Sequence, residues 1–210
     1  MSNSNDKFKI PNELRIVLLG KSGVGKTSLI TRFFNELNDN ETSINSRAKT
    51  GAICTKRKIQ IDEVLFDVEI WDTAGEQKYD SMAPMYCSGR AAVIICYDIT
   101  DSLSFIKAKE WLLQFRIHSC NIYICATKKD LCNEHKTPNP PLNSAQEYAE
   151  SVMTKFFVTS SYTGENVSKL FYAIIKDFLS APENKEEIEK QNRRRRESRF
   201  SYWRKILCFI

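Results

Sequence analysis

One segment constrains the fold more than any other: a glycine-rich stretch between an apolar run and a helical pattern. The run Leu14–Leu19 has the length of a buried strand, and Thr27–Leu37 places apolar side chains at helical spacing. Between them, Gly20–Thr27 reads GKSGVGKT, which matches the pattern G-x-x-x-x-G-K-[ST]. In this context the glycines let backbone N–H groups turn around phosphate oxygens, and the helix N-terminus adds partial positive charge. The sequence therefore predicts a phosphate-binding loop.

The side chains of this loop predict a nucleotide and a metal ion. Lys26 is expected to reach the β- and γ-phosphates, and Thr27 to place its hydroxyl on Mg²⁺. The residues expected to bind the cofactor here are Ser22, Gly23, Val24, Gly25, Lys26, Thr27 and Ser28. The loop alone does not distinguish ATP from GTP, or a kinase from a switch. An ATP-using kinase is disfavoured because the chain has no room for a lid and an acceptor domain.

Further along the chain, short apolar runs alternate with helical patterns. This alternation predicts βαβ units, and therefore an α/β fold with a mostly parallel sheet, helices on both faces and ligands at the carboxyl ends of the strands. The predicted strands are Leu14–Leu19, Ile53–Ile61, Val64–Trp71, Ala91–Tyr97, Ile122–Thr127 and Phe156–Ser160; the predicted helices are Thr27–Leu37, Leu103–His118, Ser144–Met153 and Val167–Leu179, the last capped by Asn166. The polar stretches Asn38–Thr50 and Thr137–Pro141 are predicted loops.

Charge divides the chain unevenly. The net charge is +5, but residues 190–210 carry eight basic side chains and one glutamate, so the rest of the chain is close to neutral. This argues against a nucleic-acid-binding face and for a basic tail that meets an acidic surface. We expect an N-terminal extension at 1–12, a nucleotide-binding domain at 13–180 and a membrane-targeting tail at 181–210.

The tail combines its basic residues with apolar anchors. On a helix, Phe200, Trp203, Ile206, Leu207 and Ile210 fall on one side, an interfacial amphipathic pattern. Cys208 is the third residue from the end, in neither a C-a-a-X nor a double-cysteine ending. Cys208 is a candidate for prenylation or palmitoylation, and a mainly peptide-borne anchor is the alternative.

Other features place the chain inside the cell. The seven cysteines form no C-x-x-C pair, and residues 1–6 lack the apolar core of a secretory signal. Ser2 stands where myristoylation requires glycine. The longest apolar runs, such as Ala91–Tyr97, are far shorter than the ~20 residues of a membrane span. We expect reduced cysteines and a cytoplasmic protein that lies peripherally on membranes.

Three further motifs carry a family resemblance. Trp71–Gly75 (WDTAG), Thr127–Asp130 (TKKD) and Thr159–Ser161 (TSS) follow the glycine loop in an order and spacing that resemble a Ras-superfamily small GTPase over residues 13–180. The resemblance implies the P-loop GTPase fold, a mostly parallel six-stranded sheet with one antiparallel strand and helices on both faces. It also implies a switch that binds GTP or GDP with Mg²⁺ and hydrolyses GTP.

Within that superfamily the chain is similar to the Rab branch. Tyr97–Thr100 (YDIT), Ala83–Tyr86 (APMY) and Lys109–Trp111 (KEW) carry this similarity, and Thr127 resembles a divergent, autophagy-linked Rab group. The likeness implies vesicle-mediated and protein transport on the cytosolic face of intracellular membranes. The implied partners are an exchange factor, a GTPase-activating protein and effectors, all through the switch regions, with no nucleic acid.

The resemblance also assigns roles to residues. Asp72 would hold Mg²⁺ through a water, the Gly75 N–H would sense the γ-phosphate, and Asp130 would accept two hydrogen bonds from guanine. Lys128 would lie along the base and brace the phosphate loop, and the Ser161 N–H would meet the guanine oxygen. The remaining expected base-side residues are Thr127, Leu131, Ser160 and Tyr162.

Two departures from the family pattern concern the binding of guanine and the hydrolysis of GTP. Thr127 replaces the usual Asn, so we expect guanine binding weaker by ~1 kcal/mol; Tyr162 replaces a Lys. The usual Gly-Gln-Glu is Gly75-Glu76-Gln77 here. A carboxylate at Glu76 cannot donate to the transition state, so slow hydrolysis is expected, with Glu76 and Gln77 both kept as catalytic candidates. Gln77 would act only if the switch shifted its register.

A third departure lies in the first switch. The family pattern places Lys49 where a Thr should bind Mg²⁺ and the γ-phosphate, so the adjacent Thr50 is our candidate. The alternatives are Thr42, Ser43 and Ser46. Of three effector-face aromatics typical of Rab proteins, Trp71 and Tyr86 match two, and the third aligns with Cys54. These changes leave a second function open, a near-inactive GTP-binding adaptor at a membrane.

Overall fold

One sheet of seven strands organises the part of the chain that the structure, a computed structural model, describes: residues 13–37, 44–47, 52–61, 64–73, 91–116, 120–132, 136–182, 184–186 and 193. The strands are β1 Glu13–Leu19, β2 Ile44–Arg47, β3 Ile53–Ile61, β4 Val64–Asp72, β5 Ala91–Asp98, β6 Asn121–Thr127 and β7 Lys155–Val158. The helices are α1 Lys26–Glu36, α2 Ser102–Phe115, α3 Leu142–Ser151 and α4 Val167–Ser180, with a 3₁₀ turn at Lys129–Leu131.

The sheet order is β2-β3-β4-β1-β5-β6-β7. Strands β4, β1, β5, β6 and β7 are parallel, and β3 is antiparallel to both of its neighbours, β2 and β4. Within the described residues β3 is therefore the one strand that runs against the others. This confirms the expected fold class: all six predicted strands are present, mostly parallel, with one antiparallel strand.

The seventh strand corrects the prediction of a loop over 38–50. Residues Ile44–Arg47 pair with Lys56–Ile53 of β3 at the outer edge of the sheet. The segment is polar in sequence, and an edge strand is held by backbone hydrogen bonds on one side, which need no apolar periodicity. Pattern alone therefore did not indicate it.

Apolar layers lie on both faces of the sheet. On one face, α1 and α4 cover β1 residues such as Ile16, and the Phe33 and Phe171 rings stack with centroids 4.0 Å apart. On the other face, α2 and α3 cover alternate β1 residues such as Val17. Strand β5 is buried from Ala92 to Tyr97 because helices cover both of its sides. This arrangement leaves the carboxyl ends of the strands as the open edge.

Two details of the last third of the chain differ from expectation. Strand β7 ends at Val158, so Ser160 lies in the loop that follows. Asn166 precedes α4 but does not cap it with its side chain. Its φ is +58°, and its amide instead donates to the Val158 carbonyl (2.9 Å). The side chain thus secures the end of β7, a long-range role that the sequence pattern did not reveal.

Within the described residues no helix has both the length and the apolar character to span a bilayer.

Candidate functional site

The glycine loop occupies the end of β1 in a shape that glycine permits. Gly20, Gly23 and Gly25 have φ of +152°, +82° and +100°. A Cβ on Gly20 would lie 2.5 Å from the Cys96 carbonyl oxygen of β5, whereas a Cβ on Gly23 would meet nothing within 4 Å. Position 20 therefore requires glycine because any Cβ would collide with β5, whereas Gly23 borders open space. Val24 is buried, and Ser22 and Ser28 are exposed.

Lys26 begins α1, and its ammonium group folds back over the loop. It donates to the carbonyls of Gly20 (2.7 Å) and Lys21 (3.2 Å), and the residue is only 6% exposed. Burial lowers the pKa of Lys26, and the nearby Asp72 offsets this only in part. A buried ammonium whose close partners are neutral carbonyls is poised for an anion.

Thr27, in the first turn of α1, meets Asp72, the last residue of β4, beside the loop. The Thr27 hydroxyl donates to Asp72 Oδ2 (2.5 Å), while Asp72 Oδ1 is buried with no hydrogen-bond partner. Burial raises the pKa of Asp72, against the lowering effects of Thr27 and Lys26. An orphaned carboxylate oxygen next to a hydroxyl is a donor set that suits a hard cation such as Mg²⁺.

The end of β6 forms the other half of the cleft. The buried Thr127 hydroxyl lies 2.6 Å from the Val24 carbonyl and 2.9 Å from the Tyr97 carbonyl. It has one proton and two acceptor neighbours, so it serves as a donor that ties β6 to the phosphate loop. This contact within the protein engages the single hydroxyl proton of Thr127.

Lys128 follows with a φ of +60°, and its ammonium pairs with Asp98 (2.8 Å). The Lys128 stem passes the phosphate loop, since a Cβ on Gly25 would lie 3.8 Å from Lys128 Cε. Burial alone would raise the pKa of Asp98, but bonds from Lys128 and Thr100 outweigh burial and lower it. Lys128 is thus held beside the phosphate loop by its pair with Asp98.

Asp130 lies in the 3₁₀ turn after β6 and is fixed by the loop after β7. The Ser160 hydroxyl donates to Asp130 Oδ1 (2.5 Å) and accepts from the Thr163 N–H (3.1 Å). Leu131 is exposed, Ser161 is half-buried, and Tyr162 is 83% exposed. The cleft therefore has a phosphate half at Gly20–Thr27 and Asp72, and a base half formed by the residues Thr127–Leu131 and Ser160–Tyr162.

A comparison with protein families is decisive at this point. The sequence matches the model of the Ras family over residues 15–180, a span that contains both halves of the cleft.

The chain belongs to the Ras family.

Membership in the Ras family identifies a small GTPase switch, in agreement with the sheet order and the glycine loop. Proteins of this family bind GTP or GDP, typically with Mg²⁺, hydrolyse GTP and interact with regulators and effectors. The residues present fit these groups: a buried cation at Lys26, a hydroxyl–carboxylate pair at Thr27 and Asp72, and a fixed carboxylate at Asp130. The described residues contain no cluster of three or more His, Cys, Asp or Glu for a metal. Mg²⁺ bound through one carboxylate and phosphate oxygens needs none.

Several predicted site residues lie outside the described residues. They are Thr50, Gly75, Glu76, Gln77 and Cys208, together with Lys49, the effector-face residue Tyr86 and the switch alternatives Thr42 and Ser43. Ser46 lies in β2 opposite Cys54. Cys54 is buried and sits across from the half-buried Trp71, so two of the three expected effector-face positions are adjacent.

Sequence reasoning missed two ion pairs that shape this Ras-family cleft. In the sequence, Asp98 stands out only as part of the Tyr97–Thr100 motif, yet its carboxylate anchors Lys128. Lys129 pairs with Glu165 and so joins the guanine-motif turn to the loop after β7. Partners this far apart in sequence carry no local signal. Only the Asp98 motif, at the end of a buried strand, could have pointed to the site.

Proposed function

We propose that this small GTPase is a Rab-type switch that regulates vesicle trafficking and hydrolyses GTP slowly. The nucleotide half of the proposal rests on two carboxylates in one cleft, each fixed by a hydroxyl. Thr27 donates a hydrogen bond to Asp72, and Ser160 donates one to Asp130. The Rab half rests on the motifs Tyr97–Thr100, Ala83–Tyr86 and Lys109–Trp111. The nucleotide that co-purifies with the full chain tests the first half, and GDP or GTP is the expected result.

Each half of the cleft has a distinct task in this proposal. Lys26 offsets the charge of the phosphates, and its own loss of solvation makes that contact strong. Thr27 and Asp72 hold the metal, which when bound neutralises charge on the terminal phosphates. Asp130 selects guanine because its carboxylate accepts from two ring donors that adenine does not offer as a pair.

Slow hydrolysis follows from Glu76 directly after Gly75. A carboxylate there repels the γ-phosphate and cannot donate to the transition state. Glu76→Gln should therefore raise the single-turnover rate of GTP hydrolysis, whereas Gln77→Ala should change it little. A large loss in Gln77→Ala with no gain in Glu76→Gln would assign the role to Gln77 instead.

The second candidate function is a near-inactive GTP-binding adaptor. Glu76 and the consumed hydroxyl of Thr127 favour it, since both depart from the pattern of an efficient switch. Single-turnover hydrolysis with and without a GTPase-activating protein separates the two functions. Acceleration by the activating protein supports the switch, and an unchanged rate near zero supports the adaptor.

Membrane attachment through residues 181–210 completes the proposal and places the protein on the cytosolic face of intracellular membranes. Basic side chains near an anionic surface contribute about 1 kcal/mol each, and apolar insertion provides a second, salt-insensitive contribution. Unlipidated full-length protein should float with anionic vesicles and less with neutral ones. Replacing Trp203 and Leu207 by Asp should abolish flotation, whereas Cys208→Ser should not affect it. If the unlipidated chain stays soluble, lipidation of Cys208 must carry the anchoring.

A further inference from the structure

A single side chain joins α1 to the loop of the base half. Arg32 lies in the second turn of α1, which starts at Lys26 of the phosphate loop. Its Nη1 donates to the Tyr162 carbonyl (3.3 Å) and its Nη2 to the Thr163 carbonyl (3.1 Å). The planar guanidinium can bridge two successive carbonyls because its donors form a fixed fork. The phosphate helix and the base loop are therefore directly connected.

Glu36 holds this guanidinium in place from one turn further along α1. Arg32 Nε donates to Glu36 Oε1 (2.6 Å), and the Ser168 hydroxyl of α4 donates to Glu36 Oε2 (2.5 Å). Burial would raise the pKa of Glu36, but the bonds from Arg32 and Ser168 outweigh it and lower the pKa. Glu36 is thus an ionised, doubly bonded anchor for Arg32.

The loop is shaped to admit this pair. Gly164 has a φ of +86°, and a Cβ there would collide with the Arg32 guanidinium and lie 2.5 Å from Glu36 Oε1. A residue other than glycine would therefore push the guanidinium away from the loop. The close approach of loop and helix is a built feature of the fold.

Hydrogen bonds continue from the carbonyl held by Arg32 to the carboxylate of the base half. Thr163 accepts from Arg32 through its carbonyl and donates through its N–H to Ser160 Oγ (3.1 Å). Ser160 Oγ in turn donates to Asp130 Oδ1 (2.5 Å). The position of Asp130 is thereby tied, through Thr163 and Ser160, to the helix that starts at the phosphate loop.

The apolar packing of α1 on α4 does not depend on this connection. Phe33 stacks on Phe171 in the core, one residue away from Arg32 and on the buried side of the helix. We propose that Arg32 is a positioning residue for nucleotide retention, which slows release by holding the base loop against α1. The inference rests on the proposed guanine nucleotide cleft and names a residue outside its predicted site.

The direct test is the rate at which labelled GDP and GTP leave the full-length protein. Arg32→Ala should raise both rates by about tenfold, the scale of two hydrogen bonds from a partly exposed charge. Arg32→Lys should give an intermediate rate, because one ammonium cannot replace the fork. Asn35→Ala is the matched control, since Asn35 is an exposed residue of the same helix, and its rates should equal those of the wild type.

A double-mutant cycle with Ser160→Ala separates positioning from a general loosening of the fold. If Arg32 acts through Ser160, the double variant should release GDP no more than about twofold faster than the faster single variant. Unchanged release in a folded Arg32→Ala variant, or fully additive effects in the cycle, would overturn the inference. Wild-type protein that retains no guanine nucleotide would instead refute the proposed function, and the inference with it.

Discussion

The two halves of the cleft are built by different means. The phosphate half relies mainly on one contiguous motif, which supplies the backbone shape at Gly20, the buried ammonium of Lys26 and the Thr27 hydroxyl, and Asp72 joins it from β4. The base half relies on side-chain hydrogen bonds between residues about 30 positions apart, such as Ser160 to Asp130. The phosphate half follows the family pattern, whereas the base half departs from it at Thr127 and Tyr162. We infer that affinity resides mainly in the first half and selectivity in the second.

The largest expected effect is on the phosphate side. Lys26→Ala removes a buried ammonium that faces the loop carbonyls, and it should weaken GTP binding by at least about 100-fold. Equilibrium binding of a fluorescent GTP analogue measures the loss. Lys21→Ala is the matched control, because Lys21 belongs to the same loop but is exposed and paired with Asp101 (3.1 Å). Equal losses in both variants would contradict the special role of burial at Lys26.

The next effect should change selectivity. Asp130→Asn exchanges an acceptor for a donor at the base, so guanine nucleotides should bind about 100-fold more weakly and xanthine nucleotides more tightly. Competition between GDP and XDP for the variant measures the switch. The control is Glu147→Gln, since Glu147 is an exposed carboxylate of α3 that belongs to neither half of the cleft. Equal loss of affinity for GDP and for XDP in the variant would show that Asp130 has a structural role only.

The smallest effect concerns the link between the halves. Thr127→Asn replaces one O–H donor by two N–H donors in nearly the same volume, so one donor can keep the Val24 carbonyl while the other remains for the base. GDP release should slow by about fivefold, the scale of one hydrogen bond. Thr127→Val removes the donor without changing the shape and should speed release. Faster release of GDP from Thr127→Asn than from the wild type would contradict this expectation and show that the Thr127 hydroxyl holds the Val24 carbonyl better than an amide does.

The same contrast explains how much the sequence could predict. Strands β1, β5 and β6 were predictable because they are largely buried apolar runs, and the loop Gly20–Thr27 because its residues are contiguous in sequence. Strand β2 was missed since its residues are polar and its hydrogen bonds come from the backbone of β3. Arg32 was missed because a basic residue on a helix surface has the pattern of a solvated charge, and its acceptors lie about 130 residues away.

Asn166 shows, in a single residue, the limit of prediction from sequence. Its type and place before α4 predicted a helix cap, but its amide donates to Val158 instead. Local pattern gives the set of bonds that a side chain can form, and tertiary packing selects one of them. In the same way, the sequence supplied Thr127 and Asp130 as candidates, but only the fold shows that the Thr127 hydroxyl lies between two carbonyls and that Ser160 fixes the carboxylate.

Competition between GTP and ATP for the full-length protein tests the central claim most directly, because the phosphate half treats the two nucleotides alike and only the base half can separate them. With Mg²⁺ present and labelled GDP bound, unlabelled GTP should displace the label at a concentration at least about 1,000-fold lower than ATP. Displacement by ATP and GTP at equal concentrations would contradict a guanine-selecting base half and, with it, the account of Asp130, Ser160 and Arg32.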